Sequence, residues 1–154
     1  RLAPGENKPT PIRGDSREEK ASMNADLIYP EEAYAVIGAC LEVYNVMGCG
    51  FLEAVYQKCL EREFLLRDVS FEAQKRIGLT YKGHLIDQEY TPDFLCYEKI
   101  ILEIKAESLL VDSNRAQTIN YLNATGFKLG LLVNFGHHKT LEWERFALTE
   151  TDKK

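Results

Sequence analysis

From Pro30 to Met47, apolar residues recur at helical spacing: Ala33, Val36, Ile37, Cys40, Leu41, Tyr44 and Met47 fall on one face. Pro30 suits a first helical turn, with Glu31 and Glu32 beside it at the positive end of the helix dipole. Gly48-Cys49-Gly50 breaks the pattern. A second stripe (Leu52, Val55, Tyr56, Cys59, Leu60, Phe64) predicts a helix over about Phe51 to Arg67, packed on the first as a hairpin. Strands follow: Phe71 to Tyr81 and Leu85 to Tyr90 flank Lys82-Gly83, a two-residue hairpin turn. Thr91 to Cys96 and Ile100 to Ala106 form the next pair. Asp112 or Ser113 can cap a helix running to about Thr125, which Gly126 can end. Lys128 to Phe135 is a strongly apolar strand, and Thr140 to Leu148 adds a last one.

Ahead of these elements, residues 1–22 hold three prolines, many charges and almost no large apolar side chains. Such a segment cannot bury enough surface to offset its ordering entropy, and disorder is expected. Residues 23–150 are read as one folded domain and 151–154 as a tail. The chain has 154 residues, 45% hydrophobic and 28% charged, which fits a single globular domain. It contains no apolar run of about 18 residues and no basic-then-apolar leader, so a cytoplasmic protein with no membrane partner is expected. Cys40, Cys49, Cys59 and Cys96 form no C-x-x-C pair, and His137-His138 reads as a polar loop rather than a chelate. The net charge of −5 argues against a broad electrostatic grip on nucleic acid, though not against a local site.

Three charges interrupt the apolar pair TPDFLCYEKIILEIKA, Thr91 to Ala106. A three-residue loop, Tyr97-Glu98-Lys99, sets Cys96 opposite Ile100 and Asp93 opposite Glu103. Phe94, Cys96, Ile100, Leu102 and Ile104 then share an all-apolar face, while Asp93, Leu95, Ile101, Glu103 and Lys105 share the other. A two-residue loop would mix the faces, so the pattern selects the odd-numbered loop. Two facing carboxylates repel each other, and a divalent cation removes the repulsion. Lys105 could orient or acidify a water there, or stabilise phosphate charge. The alternative is a strand end carrying ordinary surface charges.

The helix before the sheet adds a second signal. A helical wheel puts Glu53 between Leu60 and Phe64, inside the apolar stripe. A buried carboxylate needs a partner: a metal, Lys105 or a hydrogen-bond donor. A half-exposed position at the stripe edge is the plainer reading.

Gly50, Glu53 and Tyr56 match the signature of the GxxExxY proteins, placed in the PD-(D/E)XK nuclease superfamily. Pro92-Asp93, followed after nine residues by Glu103-Ile104-Lys105, resembles the motif that names that superfamily. The similarity runs from about Leu27 to Trp143. It implies a restriction-endonuclease-like α/β fold, a central mixed sheet flanked by helices. It implies Asp93, Glu103 and Glu53 as metal ligands, Lys105 as the catalytic lysine and Gln117 as a polar helix residue near the active site, with Tyr56 and Tyr121 in support. The implied activity is hydrolysis of nucleic-acid phosphodiesters, DNA ahead of RNA, through water activated by Mg²⁺ or Mn²⁺. A non-catalytic nucleic-acid- or protein-binding module and a small-molecule metalloenzyme are the alternatives. A homodimer or larger partner is compatible with so small a chain.

Overall fold

Pro30 opens α1 (Pro30–Met47), which buries Ala33, Val36, Ile37, Cys40 and Tyr44 as expected, and Ala39 and Val43 besides. Leu41 and Met47 lie at the edge of the core instead. Gly48 and Gly50, at φ 76° and 110°, reverse the chain into α2 (Glu53–Leu66). Tyr56 fixes this reversal: its hydroxyl donates to the Gly48 carbonyl at 2.6 Å and accepts the Phe51 N–H at 3.3 Å. Its ring stacks on Phe135 with centroids 4.6 Å apart. The computed structural model describes residues 27–148, so the expected disorder of residues 1–22 and the tail 151–154 lie outside the described residues.

The main sheet has the order β1-β4-β5-β6-β7. These strands are β1 (Phe71–Ala73), β4 (Phe94–Cys96), β5 (Ile100–Lys105), β6 (Leu129–Asn134) and β7 (Glu142–Ala147). Only β5 and β6 pair in parallel, and α3 (Asp112–Thr125) connects them. The architecture is mixed α/β with helices on the sheet. α1 and α2 cover one face, where Phe94, Cys96, Ile100, Leu102, Leu131 and Val133 join their core. β6 is buried along its whole length, as its unbroken apolar run requires for a central strand with both faces covered.

A separate hairpin, β2 (Ile77–Tyr81) and β3 (His84–Tyr90), turns on Lys82-Gly83 as expected. With α3 it builds a smaller core on the other face, from Tyr90, Leu95, Ile101 and Leu122 with Ile77, Leu79 and Tyr121. α3 buries only Thr118 and Leu122, and it rests on Gly130 of β6. A Cβ at Gly130 would come within 3.2 Å of Thr118 and 3.3 Å of Leu122.

Two expectations are corrected. The strand foreseen from Phe71 to Tyr81 is two strands in two sheets. Gln74 turns left-handed at φ 57° and gives its N–H to the Asp93 carbonyl at 3.1 Å. Neither Asp112 nor Ser113 caps α3. The boundary residue is Val111, whose N–H donates to Asn114 Oδ1 at 3.0 Å, while Asp112 pairs with Arg115 at 3.0 Å.

Candidate active site

Strand register delivers the charged residues. Phe94 pairs with Leu102, Leu95 with Ile101 and Cys96 with Ile100. The ladder continued by one residue sets Asp93 opposite Glu103. The loop is Tyr97-Glu98-Lys99, as the alternation of faces demanded, with the Lys99 N–H donating to the Cys96 carbonyl at 3.0 Å.

Asp93 sits immediately before β4 and is held from three sides. Its Oδ2 accepts the Ile104 N–H of β5 at 2.8 Å. Its carbonyl accepts the Gln74 N–H at 3.1 Å and Gln57 Nε2 of α2 at 3.4 Å. Oδ1 has no such internal donor among the described residues. Glu103, near the end of β5, accepts a hydrogen bond from the Tyr90 hydroxyl at Oε2. Its carboxyl is raised to about 8, first by burial and further by the neighbouring Asp93 carboxyl, against the opposing Tyr90 hydrogen bond and Lys105 charge. The two carboxyls, opposite each other in the register, thus act directly on one another. Lys105 ends β5, partly buried, and forms no ion pair among the described residues. Its charge acts on both Glu53 and Glu103, opposing the rise in each.

Glu53 has the predicted direction but not the predicted depth. On α2, Leu60 and Phe64 are fully buried, whereas Glu53 on the same face is exposed. The first turn of α2 stands over an opening rather than over the sheet. A cavity of about 430 Å³ lies there, lined by Glu53, Gln57, Lys58, Glu61, Gln74 and Asp93. Partial burial, then the charge of Asp93, raises the Glu53 carboxyl. Glu53 thus faces Asp93 across the cavity and does not need a buried partner.

Gln117 lies exposed on α3, and no hydrogen bond joins it to Asp93, Glu103 or Lys105 among the described residues. Tyr121, one turn on, reaches the site indirectly through a stack on Tyr90, with centroids 3.9 Å apart and planes 7° from parallel. Tyr56 braces the α1–α2 turn. Three residues that carried no role in the sequence reading prove structural here: Tyr90 on Glu103, Gln57 on Asp93, and Asn134. Asn134 is the register partner of Lys105 and is fully buried. Its Oδ1 accepts the Glu107 and Gly136 N–H groups, and its Nδ2 donates to the Glu107 carbonyl and to Glu142. The only trace of these in the sequence is position: Tyr90 three residues before Asp93, Gln57 one turn after Glu53, and a polar residue ending the apolar β6.

The donor set suits a hard divalent cation. Two neighbouring carboxyls each have one oxygen engaged by an internal donor, and Asp93 of the pair lines the open cavity. Mg²⁺ takes one or two protein carboxylates and fills its remaining positions with water and phosphate oxygens. Among the described residues, no three His, Cys, Asp or Glu side chains are grouped to hold a metal ion together. The arrangement is a two-carboxylate one, with Glu53 across the cavity. No helix among the described residues is long and apolar enough to cross a membrane.

No curated protein and no solved structure is significantly similar to the chain. The sequence model of the PD-(D/E)XK nuclease superfamily, however, matches residues 30–146, which takes in α1, the main sheet up to the penultimate residue of β7, the paired carboxyls and Lys105. With a five-stranded mixed sheet flanked by helices and a Pro-Asp…Glu-x-Lys pair on adjacent strands, the chain belongs to the PD-(D/E)XK nuclease superfamily.

Proposed function

We propose that this protein is a Mg²⁺- or Mn²⁺-dependent nuclease that hydrolyses phosphodiester bonds of nucleic acid, DNA ahead of RNA, in the cytoplasm. The observation that carries the proposal is the register that sets the Asp93 and Glu103 carboxyls opposite each other at the end of β5, where Lys105 lies. A pair of adjacent, partly buried carboxyls is costly to a fold unless it has a use. Superfamily membership supplies that use. Asp93 and Glu103 would hold the cation, and Glu53 lines the same cavity as Asp93. When bound, the cation neutralises the carboxylates and promotes attack by water on the phosphate. Lys105 stabilises the negative charge that builds on the phosphate, with no fixed ion pair to leave first. The GxxExxY signature reads naturally here: Gly50 turns the chain, Glu53 faces the cavity and Tyr56 locks the turn.

One observation favours a second reading, a non-catalytic binding module: three acidic side chains do not converge as a ligand group. Incubating the protein with plasmid, single-stranded DNA and RNA, in Mg²⁺, Mn²⁺ or EDTA, separates the two. Metal-dependent cleavage is expected, lost at least ~100-fold in both Asp93→Ala and Lys105→Ala. Binding of nucleic acid without cleavage, equal in EDTA and unaffected by these substitutions, would establish the module instead.

A further inference from the structure

Strand β3 has one buried side chain. His84 to Glu89 are all exposed, and Tyr90 alone turns inward, 5% exposed. Its ring is stacked on Tyr121 of α3, and Ile77 lies opposite it in the hairpin. The hydroxyl donates to Glu103 Oε2. A buried phenol needs a partner for its hydroxyl, and this one has taken an oxygen of the proposed metal site.

Asp93 shows the same arrangement by another route, with Oδ2 taken by the Ile104 N–H. Each carboxylate thereby has one oxygen engaged by a fixed donor, which favours ligation through the other. That geometry matters to the choice of cation. Mg²⁺ and Mn²⁺ accept compact octahedral sets with one oxygen per carboxylate, whereas Ca²⁺ takes more ligands at longer range and accepts both oxygens of one carboxylate.

Resting on the nuclease reading above, we infer that Tyr90 is a positioning residue that confines Glu103 to one-oxygen ligation and so sets the preference of the site for small divalent cations over Ca²⁺. It acts through Glu103 and touches neither metal nor substrate. The stack on Tyr121 keeps the ring from swinging away, which gives Tyr121 its place in the site. Because Tyr90 ends β3 at the open end of the β2–β3 hairpin, that hairpin is tied directly to a proposed metal ligand.

Tyr90→Phe removes the hydroxyl and keeps the stack. Mn²⁺ and Ca²⁺ affinities of the metal-free full chain, read by calorimetry, are the primary measurement; kcat and KM for a DNA substrate are the second. Outer ligands of this kind are commonly worth about 10–100-fold in metal affinity. The expected result is Mn²⁺ binding weakened by about tenfold, Ca²⁺ binding weakened less or strengthened, kcat reduced and KM for DNA unchanged. Tyr90→His, which retains a ring and a donor, should restore part of the Mn²⁺ preference; it also serves if the Phe variant does not fold. A merely structural role would lower the melting temperature and leave the Mn²⁺/Ca²⁺ ratio where it was, and that overturns the inference. If wild type binds Mn²⁺ and cleaves while Tyr90→Phe matches it, only the role of Tyr90 fails. If wild type binds no divalent cation, the nuclease reading fails and the role of Tyr90 with it. If wild type binds Mn²⁺ without cleaving, the nuclease reading fails while the affinity ratio still decides the role of Tyr90.

Discussion

Gly136 shows how little freedom the backbone has where it leaves the candidate site. A Cβ there would lie 2.6 Å from the Ala106 carbonyl carbon and closer still to the Glu107 backbone. The same passage is fixed by Asn134, which binds both the N–H and the carbonyl of Glu107. Lys105, one residue before Ala106, depends on this clamp for its position. Gly136→Ala must move backbone rather than a flexible side chain. A loss of about 2–4 kcal/mol in urea unfolding is expected, with cleavage reduced by more than the folded fraction explains. A change under about 0.5 kcal/mol would mean that the two segments can part without consequence. Nothing local marks Gly136 as special, because the atoms it would strike come from a segment some thirty residues earlier in the chain.

At the scale of elements, the β4–β5 hairpin shows what alternation decides by itself. The register followed from keeping Phe94, Cys96, Ile100, Leu102 and Ile104 on one face, and the pairing is the one found. The cost of that loop is visible only in the backbone. Tyr97 and Glu98 both adopt left-handed conformations, at φ 54° and 60°. Each costs a non-glycine residue roughly 1 kcal/mol. Glu98 is exposed, so Glu98→Gly should raise stability by about 0.5–1 kcal/mol in chemical unfolding. Nuclease activity should not change, since the register is set by the strands. A destabilised variant would show that the Glu98 side chain has a role in the turn. The strand expected from Phe71 to Tyr81 illustrates the reverse. Neither glycine nor proline marks the break at Gln74, because its cause is the distant Asp93 carbonyl.

The whole molecule carries the electrostatic consequence of the paired carboxyls. Glu103 titrates higher in the folded chain than its ordinary value near 4.5, at about 8, chiefly through burial. The sign follows from linkage: a group with a raised folded pKa contributes stability below its unfolded pKa and loses it as pH rises through the folded one. The metal-free protein should therefore become less stable between about pH 4.5 and 8. Each pKa unit is worth about 1.4 kcal/mol, so the loss is measurable by thermal unfolding in EDTA. Glu103→Gln should flatten it. Mn²⁺ should raise the melting temperature of wild type more at pH 8 than at pH 5, because ligands must be deprotonated to bind. A stability curve rising over this range in the metal-free protein would contradict the burial of Glu103 as a strained carboxyl.

Periodicity, face alternation and turn chemistry alone determined both α1 and α2, the Lys82-Gly83 hairpin, the Tyr97–Lys99 loop and the facing of Asp93 and Glu103. These are properties of neighbours in the chain, and side-chain period and turn residues encode them directly. The wheel angle of Glu53 belongs with them. Its exposure does not, because burial depends on whether another element covers that end of the helix. The tertiary structure alone decided that Tyr90 holds Glu103, that Tyr121 stacks on Tyr90, that Gln57 and Gln74 clamp Asp93, and that Asn134 and Gly136 fix the exit of β5. Each joins segments far apart in the chain or on different elements, and no local pattern records which polar groups will meet when separate strands and helices close over one core.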